Sequence, residues 1–118
     1  MSRKPIVALS VRQPYAEMIL RGEKRIEYRS RPTHRRGTVY LYASQSAGSL
    51  KAYRDIGLSH GDLPLARVVG TVEITACRKG ATCFEWDLEN PVRFRRPRRT
   101  KRQPMPTFFF PFAAAATS

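Results

Sequence analysis

A chain of 118 residues has room for one domain with a modest core, and 42% apolar content is enough to fold it. The 22 lysines and arginines exceed the 9 aspartates and glutamates by 13 charges, so nucleic acid is the first partner to consider. The alternative is a basic solvated surface that meets anionic partners without specificity.

The predicted elements begin with an apolar, β-branched run at residues 6–11, which indicates a buried strand. A helix over residues 14–21 follows, because Pro14 suits the first helical position and Gly22 suits the left-handed residue that ends a helix. Three apolar side chains of this helix fall on one stripe, so it must pack against a neighbour: Tyr15, Met18 and Ile19.

After Gly22 a tight turn leads into a charged strand at residues 24–29. Strict alternation puts Lys24 and Glu27 on opposite faces of that strand. The two side chains converge only if the turn delays the start of the strand. The structural alternative is that Glu27 is a strand residue salt-bridged between two arginines, Arg25 and Arg29, and that Lys24 is an exposed cation of the turn.

The middle of the chain predicts a strand at residues 38–43, a short helix over residues 49–56 capped by Ser49 and ended by Gly57, and a strand at residues 67–76. Alternation along the last strand defines two faces. One face carries Val68, Gly70, Val72 and Ile74. The more polar face carries Val69, Thr71, Glu73 and Thr75.

The last third of the chain is strongly basic, with seven cations in the ten positions of residues 93–102. This segment has no apolar periodicity, and we expect it to be mobile in the free protein and to add affinity for nucleic acid without specificity. Residues 108–110 are candidates for the strand that closes the fold, and residues 113–118 are expected to form a disordered tail.

The two cysteines, Cys77 and Cys83, are separated by five residues, with neither histidine close in sequence. This is no zinc spacing, and we predict no metal site and no cofactor. A disulfide is possible in principle, but a chain without a secretory signal more often keeps its thiols reduced. No apolar stretch reaches the length of a membrane span, so we expect a cytoplasmic protein without membrane contact.

Five segments of the chain, in this order, resemble the ASCH family, the activating-signal-cointegrator homology domains of the PUA-like superfamily. They are Leu-Ser-Val-Arg-Gln-Pro at 9–14, the Gly-x-Lys-x-x-Glu-x-Arg pattern at 22–29, Arg-Gly at 36–37, Ala-Ser at 43–44 and Val-Gly-Thr-Val-Glu at 69–73. The resemblance covers about residues 6–94. It implies an α+β fold, a small mixed PUA-like β-barrel with flanking short helices, forming one domain over residues 1–112 that includes the basic segment 93–102.

The resemblance and the charge together favour an RNA- or nucleotide-binding module whose basic cleft recognises single-stranded RNA or a modified base. Glu27 and Glu73 would contact a base edge, and Tyr15 or Tyr28 could stack on a base. The nucleic-acid-binding residues would be Arg12, Lys24, Arg25, Arg29 and Arg36, with Arg95, Arg96, Arg98 and Arg99 extending the footprint.

An enzyme that uses the same cleft is the alternative, because a bacterial subgroup of small ASCH proteins hydrolyses acylated cytidines with a lysine, a threonine and an acidic residue. Lys24, Glu27 and Glu73 would be the catalytic residues, all lining one cleft. Glu27 stands where that subgroup has threonine, and a carboxylate is a poorer nucleophile toward an amide. Two further alternatives are a metal-assisted ribonuclease and a protein-interaction adaptor that uses the aromatic C-terminal segment.

Overall fold

The computed structural model describes residues 5–112. It contains six strands, β1 (Ala8–Val11), β2 (Ile26–Arg29), β3 (Gly37–Ala43), β4 (Arg67–Lys79), β5 (Phe84–Arg98) and β6 (Phe108–Phe109), and two short helices, α1 (Tyr15–Leu20) and α2 (Leu50–Arg54). The strands form one sheet in the order β2-β5-β4-β3-β1-β6. This small α+β fold is consistent with a PUA-like barrel, as the sequence predicts.

The sheet curls so that β2, at one edge, approaches β1 and β6, at the other edge, across an open seam. β1 lies parallel to β3, and the other neighbouring pairs are antiparallel. Arg29 at the end of β2 donates from Nη2 to the main-chain oxygen of Ser10 on β1 at 2.7 Å. Trp86 of β5 stacks on Phe108 of β6, with ring centroids 5.6 Å apart. These contacts bring the two ends of the sheet together.

The main core fills the inside of the curled sheet and includes Leu9, Leu41 and Ile74, each fully buried. Burial of such a side chain contributes about 1.5–3 kcal/mol. Helix α1 covers this core with Ala16, Ile19 and Leu20. The predicted stripe is therefore wrong in part, because Ile19 is buried while the ring of Tyr15 is 38% exposed. The short helix rotates its Tyr15 side toward the seam instead of the core.

A register shift in β4 also changes the predicted faces of that strand. Between Val68 and Gly70 the pairing with β5 is irregular. Val68 packs into a second cluster with Tyr42 and Phe109, whereas Val69 joins Val72 in the main core. The prediction that Val68 and Val72 share a face is wrong, because a β-bulge inverts the alternation beyond it.

Strand β5 extends through half of the basic segment, so the expectation of a mobile segment is wrong for residues 93–98. Arg93 pairs with Gly70 and Arg98 with Val68, so residues 94–97 form a bulge opposite one residue of β4. Phe94 contacts the ring of Tyr40 at 6.0 Å and lies under the Arg98 guanidinium at 4.5 Å. The arginines extend from an ordered strand. The predicted disorder of residues 113–118 lies outside the described residues.

The turn signals at the helix ends are confirmed. Gly22 and Gly57 have φ values of +77° and +78°, and Ser49 Oγ accepts a hydrogen bond from the Ala52 N–H at 3.1 Å. Pro14 lies one residue before α1 and not at its first position. β6 confirms a closing strand within residues 108–110, paired antiparallel with β1.

An ion pair between a buried carboxylate and a half-exposed arginine, which the sequence does not indicate, fixes α1 against β5. Glu17 is 6% exposed, and Arg93 donates from Nη1 and Nη2 to its two carboxylate oxygens at 2.7 and 2.8 Å. Arg21 Nε donates to the same carboxylate at 2.8 Å. The hydrogen bonds from Arg93 are the main cause that lowers the pKa of Glu17, while burial opposes them.

Cys77 and Cys83 are both partly exposed free thiols. Among residues 5–112 no helix is long and apolar enough to cross a membrane.

Candidate functional site

A cleft of about 680 Å³ opens at the seam between β1 and β2. Its walls come from parts of the chain that are distant in sequence: the end of β1 and start of α1, the turn and strand at 24–29, the end of β3 and the segment at 103–107. A volume of this size is in the range that binds a small molecule or a single nucleotide. It is the larger of the two pockets described for residues 5–112.

The floor of the cleft carries a cation–carboxylate–cation row, formed by Lys24, Glu27 and Arg29. Lys24 Nζ lies 3.5 Å from Glu27 Oε1, and Arg29 Nη2 lies 2.8 Å from Glu27 Oε2. Arg29 Nε donates to the same Oε2 at 2.8 Å. The Glu27 side chain is 10% exposed and stands between the two cations. All three side chains line the cleft.

Lys24 and Glu27 converge because the turn after Gly22 delays the strand, which is the condition that the sequence analysis set. The N–H groups of Glu23 and Lys24 both bond to the Met18 oxygen, at 2.9 and 3.1 Å. β2 starts only at Ile26. Lys24 therefore lies outside the strand alternation, and its side chain is 17% exposed, so the alternative of an exposed turn cation is wrong. The other half of that alternative is confirmed for Arg29 but not for Arg25, because Glu27 is a strand residue paired with Arg29.

Glu73 does not belong to this cleft, so the prediction that it lines one cleft with Lys24 and Glu27 is wrong. It lies within β4, in the middle of the sheet, and Oε2 accepts a hydrogen bond from Asn90 Nδ2 at 3.3 Å. The cleft lies at the seam between the outer strands. The carboxylate of Glu73, on the polar face of β4, is thus hydrogen-bonded to the amide of Asn90 on the neighbouring strand β5.

Two aromatic rings flank the row. Tyr15 is 38% and Tyr28 56% exposed, and both line the cleft. Lys24 Nζ lies 5.9 Å from the ring centroid of Tyr15 and 5.1 Å from that of Tyr28. Met105, on the opposite wall, is 60% exposed. The cleft thus combines charged hydrogen-bonding groups with exposed apolar surfaces.

Arg12 lines the cleft beside this row, is exposed and forms no ion pair within the described part of the chain. Three cations and one carboxylate leave the cleft with two positive charges, so it favours an anionic ligand. Among residues 5–112 no group of three or more histidines, cysteines or acids could hold a metal ion.

The other predicted cations lie outside the cleft. Arg25 lines a smaller pocket of about 240 Å³ and donates from Nε to the Gly22 oxygen at 3.3 Å. Arg36 donates to the main-chain oxygens of Thr33 and Arg35 within its own loop. Four exposed arginines lie on β5 or just after it: Arg95, Arg96, Arg98 and Arg99.

One wall of the cleft and one buried residue that supports it are not predicted from the sequence patterns. Residues 103–107 form the wall, and no motif in that proline-rich segment indicates a site. Gln13, 1% exposed, accepts from the Glu17 N–H through Oε1 at 2.9 Å and donates from Nε2 to the Pro64 oxygen at 3.2 Å. Its place directly before Pro14 in a recognised motif was a signal for a structural role.

Comparison with known proteins agrees with this architecture. The family model described as the ASCH domain matches residues 9–107. Curated proteins give no match to the chain. The matched region contains all of the secondary-structure elements except the first residue of β1 and the last strand, and it contains every residue that lines the cleft. The chain belongs to the ASCH domain family, whose PUA-like domains generally bind RNA.

Proposed function

We propose that this domain binds single-stranded RNA or a nucleotide by placing one base in the seam cleft. The observation that carries the proposal is the Lys24–Glu27–Arg29 row lying beside the exposed rings of Tyr15 and Tyr28. Single-stranded bases are recognised by stacking on aromatic side chains and by hydrogen bonds to their edges. The row supplies the edge contacts, and the tyrosines supply the stacking surfaces.

Phosphate contacts would come from cations that are free to reach the backbone of the RNA. Arg12 lines the cleft and is exposed, and its side chain has no hydrogen-bond or ion-pair partner in the described part of the chain. Arg95 and Arg96 extend from the bulge of β5 and are exposed. Such contacts position the nucleic acid and give affinity, whereas the base contacts in the cleft give specificity.

Hydrolysis of an acylated cytidine, or of RNA, is the alternative use of the same cleft. The position of Glu73 outside the cleft supports binding over hydrolysis, because the constellation of Lys24, Glu27 and Glu73 is then incomplete. The two uses are separated by incubating the protein with acylated cytidine and with RNA, and by analysing the products.

The binding proposal is tested by replacing one residue that would stack on a base and one that would contact a phosphate. Tyr28→Ala should weaken binding of a short single-stranded RNA about tenfold, since stacking of one base contributes ~1–3 kcal/mol. Arg12→Gln should also weaken it, by about threefold or more. Fluorescence anisotropy measures both. The control is Lys51→Gln on α2, an exposed cation outside the cleft. Cleft variants that bind as tightly as this control would refute the proposal.

Binding is also expected to depend strongly on salt, because neutralising phosphates releases counterions. Between about 50 and 200 mM salt, the affinity for single-stranded RNA should fall at least tenfold. Changing Arg95 and Arg96 together to Gln should make the slope of log affinity against log salt shallower. A flat salt response would contradict an electrostatic footprint, and an unchanged slope in the double variant would exclude the β5 bulge from it.

A further inference from the structure

The cleft floor offers a defined hydrogen-bonding pattern, and we propose that it selects the imide edge of uracil over the edges of cytosine and adenine. This inference rests on the proposed function and names the base that the cleft would take. The pattern follows from the order of Lys24, Glu27 and Arg29 along the cleft floor, and from the donors and the acceptor that are not used in contacts with the protein.

The order of the row is donor, acceptor, donor. Lys24 contacts one oxygen of the Glu27 carboxylate and Arg29 contacts the other, so the acceptor stands between the two donors. Each cation is tied elsewhere as well, which fixes its place. Lys24 Nζ donates to the Ile26 oxygen at 2.7 Å, and Arg29 Nη2 donates to the Ser10 oxygen at 2.7 Å. The row is therefore preorganised.

Each member keeps hydrogen-bonding capacity for a ligand. A lysine ammonium has three N–H donors, and two of those of Lys24 are directed to Ile26 and Glu27. An arginine has five donors, and Nη1 of Arg29 hydrogen-bonds to nothing within residues 5–112. The Glu27 carboxylate has about four lone-pair positions, and within residues 5–112 its Oε1 is contacted by Lys24 alone, at 3.5 Å. One donor, one acceptor and one donor remain open.

Uracil presents the complementary edge. Its O2 and O4 are acceptors that flank the N3–H donor, so this acceptor–donor–acceptor edge matches the order of the groups that Lys24, Glu27 and Arg29 offer. Cytosine has an unprotonated N3 in the middle, which would face the Glu27 carboxylate as one acceptor against another. Its amino group would also face one of the two cations. Leaving buried polar groups unpaired in this way discriminates strongly between otherwise similar ligands.

The exposed tyrosine rings set the plane of the base but do not read its identity, because every base has a stacking face. Adenine can match the row at two positions only, with its amino group at Glu27 and N1 at one cation. Discrimination between bases therefore falls on the row alone. A hydrogen-bonded base edge is commonly discriminated about tenfold or more from a wrong one.

The test uses the whole chain and short single-stranded oligomers of uridine, cytidine, adenosine and N3-methyluridine, with binding followed by fluorescence anisotropy. Oligouridine should bind about tenfold more tightly than oligocytidine. N3-methyluridine lacks the central donor but keeps both carbonyls, so it should lose this advantage. Equal affinity for oligouridine and oligocytidine, or tight binding of the N3-methyl oligomer, would overturn the inference.

The variants Glu27→Gln and Lys24→Met test the row from the protein side. Each should bring the ratio of uridine to cytidine affinity close to one while thermal melting shows that the variant is folded. If a variant does not fold, the N3-methyl comparison on the unmodified protein still decides. If Tyr28→Ala binds more weakly but the native protein shows no preference for uridine, this inference is overturned and the proposed function is not. Cleft variants without effect on any oligomer would overturn the proposed function and this inference together.

Discussion

Replacing Gly70 by Ala is expected to destabilise the fold by about 3 kcal/mol, at the upper end of the usual effect of overpacking a core. Gly70 is in β4 where β5 passes closely. A Cβ built at this position would overlap the Val92 main-chain oxygen and would come within 2.9 Å of Leu20 Cδ2. The obstacle is mainly backbone, which cannot move aside without separating the two strands. Urea unfolding followed by circular dichroism measures the loss.

Gly22→Ala is the matched control for this experiment. Unlike Gly70, Gly22 has a left-handed backbone conformation, with φ +77°, and nothing lies within 4 Å of a Cβ built there. Its replacement should therefore carry only the strain of a left-handed residue, about 1 kcal/mol. Equal losses in the two variants would show that the close approach of β5 to Gly70 is not what requires a glycine.

Glu17→Gln is expected to cost about 2–3 kcal/mol of the free energy of unfolding at neutral pH. Breaking a buried pair can cost ~3–5 kcal/mol, and this figure is reduced here because the Arg93 side chain is 52% exposed and partly screened by water. The amide of glutamine keeps one acceptor but loses the charge that both Arg93 and Arg21 contact. Asp55→Asn is the control, since its partner Lys51 is 78% exposed, and it should change stability by less than about 0.5 kcal/mol.

The contribution of Glu17 should also depend on pH. Its pKa in the folded protein lies below the ordinary value of 4.5, so the folded state favours the ionised form. The stabilisation from Glu17 is fully present above about pH 4.5 and is lost as the pH falls through the lower pKa of the folded state. The difference in unfolding free energy between the native protein and Glu17→Gln should therefore be largest near neutral pH and shrink in acid. A difference that stays constant between neutral and acidic pH would contradict the linkage.

Most of the fold was predictable because local signals determine most of its elements. The apolar run before Arg12 gives β1, and Gly22 and Ser49 mark a helix end and a helix start. What the sequence could not show are effects of pairing between distant strands. The bulge that places Val68 and Val69 in different clusters depends on how β4 meets β5, and no local pattern encodes it.

The candidate site was predictable only in part, for a similar reason. The spacing of Lys24, Glu27 and Arg29 after a glycine indicated a charged constellation, and the turn brings it together. Glu73 was assigned to it by resemblance, but the curl of the sheet turns the cleft toward β1 and away from the middle of β4. The wall at residues 103–107 lies there because β6 pairs with β1, a long-range contact that only the complete sheet defines.

The seam position of the cleft has a consequence for the order of events during synthesis. Ser10 and Arg12 belong to the first strand and the residue after it, whereas the opposite wall, residues 103–107, is among the last parts of the domain to be made. A growing chain that ends before this segment has the tyrosines and the charged row, but it lacks the surface that encloses a base. The basic strand β5 precedes that wall in sequence, so an incomplete chain would carry the exposed arginines of this strand before the cleft has its last wall.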